Sequence, residues 1–127
     1  MHSVLTEESL AHDMIAFWDL RGSLLASFGL PNEEKLWNIL LQTGVSKKNG
    51  SDYLLRDLSN QIRLSLDITS RYVQLLCAAN LLRTIETANG NSIVELLPDG
   101  EELVDKSLKI LKNCIDKTNV DAFVLEN

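Results

Sequence analysis

The chain has 127 residues, of which 45% are hydrophobic and 24% charged, and its two prolines and six glycines leave little room for linkers. These proportions are ordinary for one soluble globular domain with a sizeable core. No run approaches the roughly 18 apolar residues of a membrane span, and the acidic N-terminus lacks the basic start of a secretory signal. We therefore expect a cytoplasmic protein without a membrane partner.

The net charge of −6 argues against indiscriminate binding of polyanions. The charge is unevenly distributed, with −4 on residues 1–46, +1 on residues 47–96 and −3 on residues 97–127. The central segment, with six basic and five acidic residues, is therefore the only part that is not acidic. It is nearly neutral rather than basic.

Catalytic and metal-binding patterns are missing from the sequence. Cys77 and Cys114 are far apart and form no CxxC pair, so we expect two packed, reduced thiols; a redox-sensing thiol is the alternative. His2 and His12 are isolated and have no cluster of further ligands beside them, so we expect no metal site. No phosphate-binding loop, nucleophile elbow or carboxylate pair is found. We predict no catalytic residues, no cofactor and no enzymatic activity.

Two helices are predicted in the first third of the chain. The first begins at the N-cap Thr6 and ends at Gly29 and Pro31. Its wide apolar face indicates burial against a second surface, for which another subunit is one candidate. The second is predicted to be capped by Asn32 and to stop near Gly44, followed by a polar connection over residues 45–52.

Two more helices, joined by a turn, are predicted in the middle of the chain. Ser51 or Asp52 is expected to cap a short helix carrying Tyr53 and Leu54, and residues 60–64 form a turn. Ser65 is the predicted N-cap of a helix that extends to about residue 80. Its inward face is formed by Thr69, Val73, Leu76 and Asn80.

A β-hairpin and a last helix complete the predicted elements. Strand-like alternation over residues 83–86 and 92–96 flanks Asn89-Gly90, a strong hairpin turn. Pro98 opens a helix that is expected to reach about Lys117. Helix, turn, helix, hairpin and helix over residues 54–103 describe a winged helix-turn-helix, a module that commonly places one helix in the DNA major groove.

Four segments in this order resemble the MarR family of winged helix-turn-helix transcriptional regulators. They are residues 58–65 (LSNQIRLS), Ile68-Thr69-Ser70-Arg71, Leu81-Leu82-Arg83 and residues 96–103 (LLPDGEEL). The resemblance implies a mainly α fold with a small β-hairpin. It also implies a single domain over residues 1–127, with a winged-helix core at about 32–97 and dimerisation helices at about 1–30 and 99–118. Homodimers of such proteins hold two recognition helices about one DNA turn apart, and some respond to a small ligand or oxidant; no residue here identifies an effector.

Two departures from the family pattern concern the DNA contacts. Arg63 occupies the turn position usually held by glycine, where a left-handed backbone would cost about 1 kcal/mol or more. The wing, which is the hairpin over residues 83–96, lacks the usual Asp-x-Arg, so the resemblance does not extend to a minor-groove contact by an arginine.

Candidate DNA contacts are therefore few. Arg71, on the outer face of the helix from Ser65, is the best candidate for a base or phosphate contact; an ion pair with Asp67 is the alternative. The other candidates are polar neighbours on that helix, two wing residues better explained by the turn, and two lysines that also suit a flexible loop. They are Ser65, Ser70, Gln74, Asn89, Asn91, Lys47 and Lys48.

The sequence thus predicts a homodimeric, MarR-like regulator that binds double-stranded DNA. The alternative is a winged-helix module that has lost DNA binding and contacts another protein through its acidic, helical surfaces. A continuous positive stripe across the recognition helices would favour DNA, and a neutral or negative surface would favour the alternative.

Overall fold

The computed structural model describes residues 6–126, with side chains described as far as residue 116, so His2 lies outside the described residues. Five helices are present in this part of the chain: α1 (Glu7–Ala26), α2 (Glu34–Lys48), α3 (Leu55–Ile62), α4 (Leu66–Ala78) and α5 (Pro98–Glu126). Three strands, β1 (Tyr53–Leu54), β2 (Leu82–Glu86) and β3 (Ser92–Leu96), form an antiparallel sheet in the order β1-β3-β2. No helix in the described range is long and apolar enough to cross a membrane.

Two predicted N-caps are confirmed. The Thr6 hydroxyl accepts a hydrogen bond from the Ser9 backbone N–H at 3.0 Å. The Ser65 hydroxyl accepts one from the Ile68 N–H at 3.2 Å and so begins α4. Both contacts are made within one turn of helix, which is why the local sequence predicts them.

The predicted bounds of α2 are wrong at both ends. Glu33, not Asn32, is the N-cap residue, and Asn32 instead lies with its Nδ2 3.5 Å from the Trp18 carbonyl oxygen. At the other end α2 continues through Gly44 to Lys48. Gly44 is buried against side chains of β3 and α5, so tertiary packing outweighs the low helix propensity of glycine.

Tyr53 and Leu54 are not helical, contrary to the prediction. They form β1, in which Tyr53 pairs with Val94 and Leu54 with Ile93 of β3. Consequently α3 begins at Leu55 without a side-chain cap, and neither Ser51 nor Asp52 has the predicted capping role.

The later elements agree with the prediction in type but differ at their ends. The hairpin of β2 and β3 is confirmed, with Leu82 opposite Leu96. However, α4 ends at Ala78, and Asn80 is exposed in a left-handed conformation with φ of 63° instead of facing the core. Helix α5 begins at Pro98 as predicted but extends to Glu126, beyond the predicted end at Lys117.

The core lies between α2, the α3–α4 pair, the sheet and the first half of α5. Trp37, Leu36, Ile39 and Leu40 of α2 are fully buried at its centre. Helix α4 adds Thr69, Val73 and Leu76 to the same core. This packing fixes which face of α4 is turned outward.

Candidate nucleic-acid interface

The outward face of α4 is centred on Arg71. Thr69, Val73 and Leu76 are turned into the core, and at 3.6 residues per turn Arg71 lies on the opposite side of the helix. The flanks of Arg71 differ in chemistry, because polar residues lie on one side and apolar residues on the other. The polar flank is Asp67 and Gln74, and the apolar flank is Ile68 and Leu75; all four are exposed.

Arg71 itself is exposed, and in the described part of the chain it makes no hydrogen bond or ion pair. The pairing with Asp67 that the sequence offered as an alternative is therefore not formed there. A guanidinium with five free donors at the centre of an exposed helix face can contact a base edge or a phosphate.

The other predicted residues of α4 have different surroundings. The Ser65 hydroxyl already accepts the capping hydrogen bond from Ile68, which leaves its O–H free to donate. Ser70 is half-buried beside the polar flank, whereas Gln74 is fully on the surface. Gln74 is thus better placed than Ser70 to reach a ligand in front of α4.

Two arginines that the sequence analysis did not select belong to α3 and to the turn that joins it to α4. Arg56, in the first turn of α3, and Arg63, in the turn between α3 and α4, are exposed and have no ionic partner among the described residues. Arg63 has a left-handed backbone, with φ of 60° and ψ of 43°. The available signal was charge, since Arg56, Arg63 and Arg71 are three of the basic residues in the non-acidic central segment.

The two predicted lysines differ from each other. Lys47 Nζ donates to the Leu96 carbonyl oxygen at 2.9 Å and lies 3.2 Å from a Glu101 carboxylate oxygen, so it links α2 to β3 and α5. It belongs to the last turn of a helix and not to a flexible loop. Lys48 is exposed and has no ionic partner within the described residues.

The wing is built without a positive tip. Asn89 is exposed, while Asn91 is half-buried and its carbonyl oxygen accepts hydrogen bonds from the Thr87 N–H at 2.8 Å and the Thr87 hydroxyl at 2.9 Å. At the base of the hairpin, the Arg83 guanidinium is paired with the Glu95 carboxylate at 3.1 Å. The hairpin therefore offers amide groups but little free positive charge.

A hydrogen bond also joins α4 to the residue that caps α2. The Tyr72 hydroxyl donates a hydrogen bond to Glu33 Oε1 at 3.0 Å. This hydrogen bond, partial burial and the negative charge of Glu33 raise the pKa of Tyr72. The neutral phenol is thus the form that fastens α4 to α2.

Neither cysteine nor a metal site adds chemistry to this face. Cys77, in α4, is half-buried, and burial raises the pKa of its thiol, which disfavours the reactive thiolate. Cys114 is half-buried in α5. The described residues contain no group of three or more His, Cys, Asp or Glu side chains that could hold a metal ion.

A second surface, away from α4, is apolar. Leu25 near the end of α1 is fully buried, whereas Leu10, Met14 and Trp18, in the part of the helix that precedes it, are 45–52% exposed. Leu111 and Ile115 of α5 continue this surface and line, with Leu10 and Met14, a cavity of about 200 Å³. We call these five residues the α1–α5 stripe: Leu10, Met14, Trp18, Leu111 and Ile115.

No model of a known protein family and no curated protein matches the sequence. Solved structures do match the fold. The Staphylococcus aureus MepR–DNA complex is 14% identical, covers 94% of this chain and 92% of that chain, and has a TM-score of 0.73. NadR in complex with 4-hydroxyphenylacetate is 17% identical, with coverages of 92% and 82% and a TM-score of 0.60. A MarR-family transcriptional regulator from Rhodococcus sp. RHA1 is 13% identical, with coverages of 85% and 74% and a TM-score of 0.61.

These likenesses confirm the predicted fold: the chain has the winged-helix architecture of MarR-family regulators, with a small antiparallel sheet among five helices in the described residues. The similarity extends over most of the chain, including α1 and α5, and is not limited to the helix-turn-helix.

Proposed function

We propose that the protein is a transcriptional regulator that binds double-stranded DNA with α4 in the major groove. The observation that carries the proposal is Arg71, a guanidinium without a partner in the described residues, at the centre of the outward face of α4. The fold likeness to a protein solved with DNA supports it. The alternative of a protein-interaction module without DNA binding is not favoured by these neighbours.

The residues divide into base-reading and positioning groups. Arg71 and Gln74 face base edges, where arginine pairs with guanine and glutamine with adenine. Arg56, Arg63 and Lys48 contact phosphates and orient the protein on the duplex. Ser65, Ser70, Asn89 and Asn91 are neutral contacts to the DNA backbone, and Lys47 remains a weaker candidate because its ammonium group is already engaged.

The salt dependence of binding follows from this count. Three cations that replace condensed counterions give a slope of log K against log salt of about −3 per protomer. Such a slope is shallow, and the net charge of −6 lowers affinity for DNA of any sequence.

Selection from a random duplex library at about 50 mM salt, followed by fluorescence anisotropy on the enriched duplex, tests the proposal. We expect Arg71→Ala to weaken binding by about 1–3 kcal/mol. Lys106→Ala, at an exposed pair with Glu102 on α5, is the control and should leave affinity unchanged. If no duplex is enriched, the protein does not act through DNA; if Arg71→Ala binds like the parent, Arg71 does not read a base.

We further propose that two copies associate through the α1–α5 stripe. The stripe continues the buried side of α1 past the edge of the core, so a second surface is needed to cover it. A second copy is the best candidate, since association would bring two α4 helices to one duplex.

Sedimentation equilibrium of Met14→Glu tests this interface. A buried carboxylate at the centre of the stripe should shift the protein from dimer to monomer. Val45→Glu is the matched control, because Val45 is 58% exposed on α2 outside the stripe. A monomeric parent, or a Met14→Glu protein that still sediments as a dimer, contradicts the proposed interface.

A small-molecule effector is part of the proposed mechanism. We also propose that the protein acts in the cytoplasm and catalyses no reaction. The similar structure of NadR, which contains 4-hydroxyphenylacetate, supports such an effector. A panel of aromatic carboxylates added to the protein–duplex complex should contain a compound that releases the labelled duplex. If none alters the anisotropy, regulation by this ligand class is contradicted.

A further inference from the structure

From the apolar flank of α4 we infer a base preference: Ile68 and Leu75 read thymine through its C5-methyl group, beside the base contacted by Arg71. The inference rests on the proposed DNA binding and adds a specificity that Arg71 alone cannot supply. Ile68 is 42% exposed and Leu75 is 47% exposed, although both are large apolar side chains on the outward face of a well-packed helix.

The position of these two residues makes them part of the same surface as Arg71. Ile68 precedes Arg71 by three residues and Leu75 follows it by four, the spacings at which helix side chains are neighbours. The two side chains are seven residues apart, about 10 Å along the helix axis. They therefore reach different base pairs on one side of the arginine.

The chemistry of the major groove identifies what they contact. Among the functional groups that distinguish the bases there, the thymine C5-methyl is the apolar one, and the amino, carbonyl and ring-nitrogen groups are hydrogen-bond donors and acceptors. An isoleucine or leucine brought against a donor or acceptor would leave that group unsatisfied, which is costly. Against a methyl group, the same side chain removes apolar surface from water.

The polar flank makes the complementary selection on the other side of Arg71. The Asp67 carboxylate and the Gln74 amide accept hydrogen bonds from amino groups of cytosine or adenine, and the carboxylate repels phosphate. The face is thus asymmetric, with apolar, cationic and acceptor groups in adjacent rows. An asymmetric face fits an edge of the duplex in one orientation only.

Deoxyuridine tests the inference, because it lacks only the methyl group of thymidine. The enriched duplex is synthesised with every thymidine and, separately, with every deoxyuridine, and both are titrated by anisotropy. The parent protein should bind the deoxyuridine duplex more weakly than the thymidine duplex, by about fourfold for each methyl group that it buries. Ile68→Ala and Leu75→Ala should each lose part of this discrimination, and the double variant should lose nearly all of it. Val45→Ala, an exposed truncation on α2, should discriminate like the parent.

The outcomes separate the inference from the proposed function. Equal binding of the two duplexes by the parent protein overturns methyl reading while leaving DNA binding intact. Undiminished discrimination by the double variant shows that other residues read the methyl groups and also overturns the assignment. Failure of the parent to bind the thymidine duplex removes the proposed function itself. Circular dichroism and thermal unfolding of the variants establish that α4 is still folded, as expected for alanine at exposed helix positions.

Discussion

The guanidinium carbon of Arg21 lies 5.3 Å from the centroid of the Trp37 ring, which joins α1 to the centre of the core. The same carbon is 5.1 Å from the Phe17 ring, and Nη2 donates to Glu34 Oε2. The Arg21 side chain is only 8% exposed, whereas that of Glu34 is 72% exposed. A buried cation is therefore stabilised by two ring faces and by one carboxylate that remains largely in water.

Removal of that carboxylate should destabilise the protein. We expect Glu34→Ala to lower the free energy of unfolding by about 1–2 kcal/mol, because a buried guanidinium loses its charged partner. Glu102→Ala, which breaks the exposed pair with Lys106, should change it by less than about 0.5 kcal/mol. Urea denaturation measures both values.

The same substitution made in an Arg21→Met variant identifies the cause of this loss of stability. In Arg21→Met the cation is absent but the volume is largely kept, so Glu34→Ala should then cost almost nothing. An equal loss in both backgrounds would mean that Glu34 stabilises α2 independently of Arg21, for instance through its position in the first turn.

The hydrogen bond between Tyr72 and Glu33 predicts a pH dependence. The pKa of Tyr72 is raised above its ordinary 10.0 mainly by this hydrogen bond. A raised pKa means that the contribution to stability is present below the unfolded-state pKa and is lost as the pH rises through the folded-state pKa. Tyr72→Phe should therefore be less stable than the parent by a constant amount from about pH 7 to 9, with a difference that shrinks above about pH 10. A difference that stays constant to higher pH would show that the phenol proton is not involved.

The sequence predicts the elements whose determinants are local and fails where the determinant is remote. The caps at Thr6 and Ser65 act within one turn, and the hairpin depends on a turn between adjacent strands. The continuation of α2 through Gly44, in contrast, depends on packing against α5, and the strand at Tyr53 depends on a partner at Val94. Such partners are not visible in a local window of sequence.

The same distinction applies to the candidate site. Arg71 can be placed on the outer face of α4 from helical periodicity, because three buried neighbours define the inner face. The engagement of Lys47 cannot, since its partners Leu96 and Glu101 are about 50 residues away in the chain. Arg63 was visible as a turn residue, but its missing partner and exposure are properties of the folded chain.

Close packing of the α5 start against Leu81, in the connection between α4 and β2, predicts opposite effects at two glycines. A Cβ at Gly100 would lie 2.3 Å from the Leu81 carbonyl oxygen, whereas one at Gly44 would meet Val104 Cγ1 at 3.6 Å. Gly100→Ala should lower the free energy of unfolding by about 1–3 kcal/mol, because the backbone must shift. Gly44→Ala should raise it by up to about 1 kcal/mol through helix propensity. Thermal unfolding distinguishes them, and a loss of similar size at both sites would contradict the close approach at Gly100.

The left-handed turn at Arg63 predicts that replacing this arginine has opposite effects on the free energy of unfolding and on DNA binding. A backbone with φ of 60° and ψ of 43° is strained for a residue that has a Cβ and unstrained for glycine. Arg63→Gly should therefore raise the free energy of unfolding by about 0.5–1 kcal/mol, after allowance for the more flexible unfolded chain. Arg71→Gly is the matched control, since the same exchange inside a helix should lower it by about 1 kcal/mol.

DNA binding supplies the opposing measurement. If Arg63 contacts a phosphate, Arg63→Gly should be more stable than the parent yet bind the selected duplex more weakly, with a salt slope reduced by about one. Arg63→Lys separates the two effects, because it retains both the strain and the charge and should resemble the parent in both assays. Greater stability with unchanged affinity and slope would exclude a phosphate contact at Arg63. Lower stability of Arg63→Gly would instead show that the arginine side chain stabilises the turn by more than its backbone strain costs.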